Sequence, residues 1–172
     1  PKSIGKLDEL REFWGKDSLK RVVPVKGDLG LPKLGVGKAD VAKLKGKIRH
    51  FYHLGAVYDL EASAEAMEKA NITGTKGALE FAEAVNAGCF HLVSSIAAAG
   101  LYRGTFTEDM FEEAEELDHP YHRTKHDSEA MVRANGRIPF RVYRPAMVLG
   151  HSQTGFIDKI DGPYYFFKAL QR

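Results

Sequence analysis

The stretch NAGCFHLVSSIAAAG, residues 86–100, decides the fold. It holds a short apolar run followed by two serines and a series of small residues, as expected of a buried strand that ends in a turn. An alanine- and glutamate-rich helical stretch over residues 61–87 precedes it, interrupted at NITGT, and a helical segment from about 121 to 135 follows it. A short strand between two helices indicates a βα unit of a parallel sheet.

Three other apolar runs repeat this alternation. They are RVVPV at residues 21–25, IRHFYHLGAV at 48–57 and IPFRVYRPAMVLG at 138–150. A helix is predicted over residues 3–16, and a loop with a short helix over residues 31–47. The sequence therefore predicts an α/β fold with a parallel sheet covered by helices on both faces.

Composition restricts the classes of function. The 172 residues include 25 basic and 23 acidic side chains, for a formal charge of +2. This small charge does not indicate the basic surface that nucleic-acid binding requires. No apolar run approaches the roughly 20 residues of a membrane helix, and no signal-peptide pattern is present. The single cysteine, Cys89, excludes an internal disulfide framework and fits a reducing compartment. We therefore expect a cytoplasmic protein without an integral membrane segment.

Tyr121 and Lys125 lie four residues apart in HPYHRTKHDSE, residues 119–129. Residues at this spacing share a helix face, so the phenol and the ammonium can converge on one ligand. A free tyrosine has a pKa of roughly 10, and a nearby cation favours its phenolate form. This pair is a candidate for acid–base catalysis, although the same spacing also occurs on ordinary surface helices.

Small and polar residues follow each apolar run, where ligands bind in open α/β sheets. Each has a structural alternative: a turn at Asp28, close helix packing at Gly55, an N-cap at Ser95, or a helix break at Asn71. The segments concerned are Asp28–Leu29, His53–Ala56, Ser94–Ser95 and Arg144–Val148. Their joint order along the chain favours one shared crevice.

That order resembles the extended short-chain dehydrogenase/reductase family. The matches are GDL after the third strand of that fold, HLGA after the fourth, NITGT in the next helix and SS after the fifth strand. Tyr121-x-x-x-Lys125 follows 26 residues after Ser95, and YRPAMVLG comes last. Within the family, SSIAAAG, DHPYHRTKHDSE, RPAMVLGHSQTG and DGPYYFFK look most like the acyl-CoA reductases of the male-sterility type. The resemblance implies a Rossmann-like, doubly wound parallel sheet.

The resemblance also implies a catalytic triad. Tyr121 would donate the proton, and Ser95 would hold the substrate carbonyl oxygen. Lys125 would lower the pKa of the tyrosine and hydrogen-bond the nicotinamide ribose. Asn71 would steady the backbone of the site. The residues expected to contact the cofactor are Asp28, Leu29, His53, Gly55, Ala56, Asn71, Ser94, Tyr121, Lys125, Pro145, Ala146 and Val148, and no metal ligand is expected.

The resemblance implies a nicotinamide cofactor, NADP in preference to NAD, and an acyl-CoA as the small-molecule substrate, reduced to aldehyde or alcohol in lipid metabolism. The family's GxxGxxG phosphate loop has no counterpart here, because GLPKLGVGK at residues 30–38 follows the wrong strand. We therefore expect residues 1–172 to be a single Rossmann-type domain that lacks its first two strands and most of the downstream substrate-binding part. The isolated segment is expected to be inactive, and its oligomeric state is left open.

Three other functions compete with this interpretation. A nucleotide-sugar epimerase or dehydratase would share the fold and the triad, but Ser95 is followed by Ile96 and three alanines, and these suit an acyl chain better than a sugar. A hydroxysteroid-type dehydrogenase would also fit. The alternative of another class is a catalytically silent binding or scaffold segment.

Two further groups could carry other chemistry. His119, His122 and His126 have spacings that occur among zinc ligands, but Lys125 lies among them and no fourth ligand is evident. Cys89 could be a thioester-forming nucleophile, whereas its place at the start of an apolar run favours a buried structural cysteine.

Overall fold

The computed structural model describes residues 14–15, 17–57, 62–157 and 164–170. Its centre is a parallel sheet of three strands: β1 (His50–His53), β2 (Cys89–Val93) and β3 (Phe140–Tyr143). The strands lie in chain order, with Phe51 opposite Phe90, and Phe90 opposite Phe140. The last three strands of the 3-2-1-4-5-6 order of Rossmann folds are arranged in the same way. The predicted α/β class is confirmed.

Five helices accompany these strands in the described residues. They are α1 (Lys38–Leu44), α2 (Ala64–Met67), α3 (Gly74–Ala84), α4 (Pro120–Asn135) and α5 (Tyr164–Leu170). A π-helical turn, Glu68–Thr73, joins α2 to α3 at the predicted interruption. Shorter 3₁₀ turns occupy Ser18–Arg21, Pro32–Gly35 and Ile96–Ala99. None of the described helices is long and apolar enough to span a bilayer.

The two faces of the sheet differ. One face, called here the helix-covered face, contributes Phe90 and Leu92 to the core, which also contains apolar side chains of α3 and α4. The other, called here the open face, carries His50, Tyr52, Cys89, His91 and Tyr143. Within the described part of the chain Tyr52 stays 56 % exposed.

Local chemistry sets the bounds of α4. His119 is the N-cap, and its Nδ1 accepts a hydrogen bond from the backbone N–H of Tyr121 at 3.1 Å. Pro120 occupies the first turn, where the missing N–H costs nothing, and Gly136 ends the helix in the left-handed conformation with φ 62°. The helix therefore begins one residue before Tyr121, so both Tyr121 and Lys125 lie in its first two turns.

Buried ion pairs attach α4 to the end of β3. The Glu129 side chain is fully buried and bonds the Arg144 guanidinium at 2.6 Å and Arg133 at 2.8 Å. Burial alone would raise the pKa of Glu129, but the hydrogen bonds and charges of the two arginines outweigh it and hold the pKa below its ordinary value. Arg144 also donates to the Met110 carbonyl at 2.8 Å, which attaches the acidic segment 101–118 to the same point.

Gly100 fixes the other end of that acidic segment. Its φ of 65° favours glycine, and a Cβ there would overlap the carbonyl of Glu115. Next to Gly100, the Leu101 N–H donates to the Glu115 carbonyl at 2.8 Å, so the start of the acidic segment is bonded to a residue near its end.

One predicted strand is wrong. Residues 22–28 form no strand in the described structure, and Val23 is 79 % exposed. The physical reason is that a strand needs a hydrogen-bonded neighbour, which this run lacks among the described residues, while Pro24 has no N–H to offer one. The helix predicted over residues 3–16 lies outside the described residues apart from Trp14 and Gly15.

Candidate active site

Lys125 connects the catalytic candidate pair to the sheet. Its side chain is 5 % exposed and its Nζ donates to the carbonyl of Val93, the last residue of β2, at 3.1 Å. Among the described residues this carbonyl is the one acceptor of the ammonium. Tyr121 precedes Lys125 by one helical turn, so the two residues share the face of α4 that Lys125 attaches to the carboxyl end of the central strand.

Burial has a direct electrostatic effect on Lys125. It lowers the pKa of the ammonium from 10.5 to about 8, although the carboxylate of Glu129 acts in the opposite direction. The side chain is thus charged at neutral pH and loses its proton within a few units above it. A cation held in a low-dielectric position exerts a stronger field on neighbouring groups than a solvated one.

Asn71 connects the π-helical turn, the loop after β1 and α4 by hydrogen bonds. In the π-helical turn its Oδ1 accepts from Val57 N–H at 2.9 Å, while its Nδ2 donates to the Val57 carbonyl at 3.2 Å and to Thr124 Oγ1 at 3.0 Å. Asn71 and Thr124 are both buried. The loop after β1 is thereby attached to α4, one residue before Lys125.

His53 extends this network behind the site. Its Nε2 lies 3.1 Å from Thr75 Oγ1, whose own proton is donated to the Asn71 carbonyl at 2.6 Å. The threonine oxygen therefore accepts, and the proton of neutral His53 is on Nε2. Burial, and then the charge of Lys125, lower the pKa of His53 to about 4. At neutral pH one positive charge is present here, on Lys125.

The two serines after β2 have different environments. Ser95 Oγ accepts a hydrogen bond from Ala97 N–H at 3.1 Å, which caps the turn and leaves its hydroxyl proton available. Ser94 is buried, and its Oγ has no partner among the described residues. A buried hydroxyl without a partner is costly and points to a group that completes it.

The loop before the Pro32–Gly35 turn meets the loop after β1. A Cβ on Gly55 would lie 2.7 Å from Leu29 Cδ1, so the glycine permits this contact. Asp28 Oδ1 accepts from Gly30 N–H at 2.8 Å, which is the turn role that its sequence also allowed. Leu29, Gly55 and Ala56 are thus brought to the same edge of the sheet as Asn71.

The segment after β3 is positioned mainly at its start. The Pro145 carbonyl accepts from Ile96 N–H at 3.2 Å, next to Ser95. Beyond it the side chains are open, with Val148 82 % exposed. Ala146 and Val148 therefore have little of the packing that fixes Lys125.

A nicotinamide cofactor fits the chemistry of this edge. The Lys125 ammonium has donors that the Val93 carbonyl does not use, and ribose hydroxyls are suitable acceptors for them. Ser94 Oγ is an unpartnered buried hydroxyl at the same strand end. These residues, with Tyr121 and Asn71, are the ones that could hold the ribose and nicotinamide.

The histidines considered as metal ligands do not form a cluster. His119 Nδ1 accepts from Tyr121 N–H, and His126 Nδ1 lies 3.0 Å from the Ala98 carbonyl. Together with His122 they form no group of closely spaced ligand atoms in the described part of the chain.

Sequence reasoning missed two hydrogen-bonding partners, Thr75 and Thr124. Thr75 lies one turn after Asn71, and Thr124 is the residue before Lys125. The signal that could have identified both is their short distance in sequence from Asn71 and Lys125. Sequence reasoning also missed a group of His50, Cys89 and His91 on the open face, because His50 lies far from the other two in sequence.

Comparison with known proteins places the chain among reductases. Residues 5–172 match the family described as male sterility protein. A linear gramicidin synthase protein of Brevibacillus parabrevis is 32 % identical over 166 residues, which cover 92 % of this chain and 3 % of that protein. A Drosophila melanogaster protein named among the fatty acyl-CoA reductases is 25 % identical over 196 residues, covering 96 % of this chain and 38 % of that protein.

A solved structure supports the same relationship. The terminal R domain from the myxalamid PKS-NRPS biosynthetic pathway superimposes with a TM-score of 0.74 and 32 % identity, over 86 % of this chain and 39 % of that one. The chain thus spans about two fifths of that structure and less of the curated relatives named above.

Proposed function

Since the chain belongs to the male sterility protein family of NAD-binding reductases, we propose that the intact protein reduces an acyl thioester, with an acyl-CoA as substrate and NADPH as reductant. The observation that carries this proposal is the buried ammonium of Lys125, bonded to the Val93 carbonyl one helical turn from Tyr121. That arrangement suits proton delivery beside a nicotinamide.

The proposed reaction divides its work among three side chains. The bound nicotinamide supplies a hydride to the thioester carbonyl carbon. Ser95 donates its free hydroxyl proton as a hydrogen bond to the carbonyl oxygen, and Tyr121 gives that oxygen a proton as negative charge develops. Lys125 stabilises the resulting phenolate by its charge. The hemithioacetal then collapses: its C–S bond breaks and its hydroxyl proton passes to the departing thiolate, which gives aldehyde and free thiol. The hydride accounts for the two electrons transferred.

The remaining site residues are proposed to bind the cofactor. Asp28 and Leu29 would meet the adenine end, Gly55 and Ala56 the phosphates and ribose, and Ser94 with Lys125 the nicotinamide ribose. His53 would support this edge from behind through Thr75 and Asn71, whereas Pro145, Ala146 and Val148 would border the nicotinamide. The support is that some of these residues directly follow β1, β2 and β3, at the carboxyl end of the sheet where α/β folds bind ligands, and that Leu29 meets Gly55 there.

The substrate proposal rests on the wall beside Ser95. Ile96 is 53 % exposed and begins a turn of small apolar residues, which offers an acyl chain contact and a sugar no hydrogen-bonding side chain. Free CoA and a carrier-bound phosphopantetheine present the same thioester, so both are tested. We also propose that residues 1–172 act as one Rossmann-type unit within a longer protein, and that the unit alone is inactive.

The test is NADPH oxidation by the intact protein with a long-chain acyl-CoA and, separately, an acylated carrier protein. We expect aldehyde formation that depends on the thioester, and a loss of about 10²–10⁴-fold in kcat for Tyr121→Phe. Tyr52→Phe, on the open face, is the matched control and should keep full activity. Turnover of sugar nucleotides or sterols in place of thioesters would refute the substrate, and an unchanged Tyr121→Phe rate would refute the proton donor.

A further inference from the structure

The open face of the sheet carries three side chains with metal-ligand chemistry, His50, Cys89 and His91. His50 and Cys89 are opposite each other on neighbouring strands, and His91 lies two residues after Cys89 on the same face. Their ligand atoms all lie within 4.8 Å of one another. In the described ranges of the chain no other group of three or more histidine, cysteine or acidic side chains meets this spacing.

The His91 ring is held in one orientation. Its Nε2 lies 3.0 Å from His50 Nδ1, and its Nδ1 lies 2.9 Å from the Tyr143 hydroxyl. The ring also stacks on Tyr52, with centroids 4.2 Å apart and an interplanar angle of 18°. One proton joins the two facing nitrogens. When His50 carries it, His91 is the Nδ1–H tautomer and donates to Tyr143.

We propose that His50 Nδ1, Cys89 Sγ and His91 Nε2 bind a zinc ion. Zinc takes nitrogen at about 2.0–2.1 Å and thiolate at about 2.3 Å, so neighbouring ligands of a tetrahedral site lie roughly 3.3–3.6 Å apart. The two imidazoles need to separate by a few tenths of an ångström, and the Cys89 sulfur has to approach them by at most about 1.2 Å from within the 4.8 Å group. On binding, the proton between the rings passes to the exposed Nε2 of His50, and the thiol proton is released to solvent.

The ligand set selects the class of metal. Two imidazoles and a thiolate suit Zn²⁺ and Co²⁺, whereas Mg²⁺ and Ca²⁺ prefer oxygen ligands. The Tyr143 hydroxyl lies 2.9 Å from His91 Nδ1, and in the zinc-binding tautomer it accepts that N–H, which is the usual role of a second partner behind a metal-binding imidazole. In the described part of the chain His50 is exposed, which leaves an open position for a water as the fourth ligand. Arg141, opposite His91 in β3, is the nearby charge that opposes a cation.

This site is separate from the catalytic one. Lys125 and His53 belong to the helix-covered side and the carboxyl ends of the strands, whereas His50 and Cys89 are the first residues of β1 and β2. None of the three proposed ligands takes part in the proposed reduction. Zinc binding and thioester reduction can therefore stand or fall independently.

The experiment is a cobalt and zinc titration of the intact, tag-free protein after dialysis against a chelator. We expect one equivalent of Co²⁺, a thiolate-to-cobalt charge-transfer band in the near ultraviolet, and displacement of the cobalt by Zn²⁺. Cys89→Ser should remove the charge-transfer band. His50→Ala, at an exposed position that leaves folding intact, should weaken Zn²⁺ binding by more than about 100-fold.

Two further variants separate zinc binding from a merely structural effect. Tyr143→Phe should keep the charge-transfer band but weaken binding by about 10–100-fold, since only the orienting partner is lost. Arg141→Gln should strengthen binding, whereas His151→Ala, a histidine elsewhere on the surface, should leave it unchanged. The proposal is overturned if no charge-transfer band forms, or if the band persists in Cys89→Ser.

Discussion

The proposed proton-donating side and the proposed cofactor side of the candidate site are built differently. On the first side Lys125, Asn71 and His53 are buried and hydrogen-bonded, and they join α4, the π-helical turn and the loop after β1. On the second side Met147 and Val148 are exposed, and the described backbone hydrogen bonds hold the segment at Pro145 and again from Gly150 onward. One side is fixed by packing within this chain, and the other is largely open.

The difference shows how a short helical motif acquires a precise position. The spacing of Tyr121 and Lys125 aligns two side chains, but the Val93 carbonyl and the Asn71–Thr124 hydrogen bond place their helix against the sheet. Exposed residues after β3 lack such partners. Substitutions on the two sides should therefore differ greatly in effect.

The largest effect is expected for Lys125→Met. The variant keeps an apolar stem of similar length but loses the charge that stabilises phenolate, so kcat of the intact protein should fall by about 10²–10³-fold with acyl-CoA and NADPH. Lys76→Met, at an exposed position on α3, is the matched control. Equal loss in both variants would contradict a specific role of Lys125.

The pH profile of the same enzyme gives a second reading. Because burial lowers the pKa of Lys125 to about 8, the charged fraction falls as the pH rises through that value. Wild-type kcat/KM should decline above about pH 8, and Lys125→Met should lack this decline. A decline that persists in the variant would assign the titration to another group.

An intermediate effect is expected for Asn71→Ala. It leaves both backbone groups of Val57 unpaired and removes a partner of Thr124, so the free energy of unfolding should fall by about 2–4 kcal/mol in denaturant titrations. Displacement of α4 should lower kcat/KM by roughly tenfold or more. Asn135→Ala, which removes hydrogen bonds with Glu83 and Arg137 away from the site, should reduce stability without changing the rate.

The smallest effect is expected for Val148→Ala. At an exposed position the free energy of unfolding should change by less than about 0.5 kcal/mol. Loss of the proposed apolar contact with the nicotinamide should raise KM for NADPH by about threefold, less than 1 kcal/mol. Val23→Ala, similarly exposed but outside the site, should leave KM unchanged. An unaltered KM in Val148→Ala would remove this residue from the proposed cofactor contacts.

The sequence predicted the elements whose signals are local. Apolar runs identified β1, β2 and β3. The spacing of Tyr121 and Lys125 indicated a helix, and the structure has one between Pro120 and Gly136. The run at residues 21–25 has the same β-branched composition, yet a strand also depends on a hydrogen-bonding neighbour, and this dependence is not contained in the run itself. Composition therefore predicted three strands correctly and a fourth wrongly.

The site was predictable to a similar degree. The order of the motifs indicated Asn71, Lys125 and the two serines as site residues. In the structure Asn71 and Lys125 are buried and hydrogen-bonded. The His50–Cys89–His91 group was not predictable, because its members meet through the register of β1 and β2, some 40 residues apart along the chain. Register depends on tertiary packing, and no local pattern encodes it.

The buried ion pairs of Glu129 also determine which parts can move together. Arg144, which directly follows β3, bonds to Glu129 of α4 and to the carbonyl of Met110, and separating these groups would leave a charge unpaired in the interior. These contacts favour joint displacement of α4, the end of β3 and the part of the acidic segment near Met110. A rotation that leaves them intact costs least in the backbone of residues 146–149, which has no hydrogen bond to other described residues.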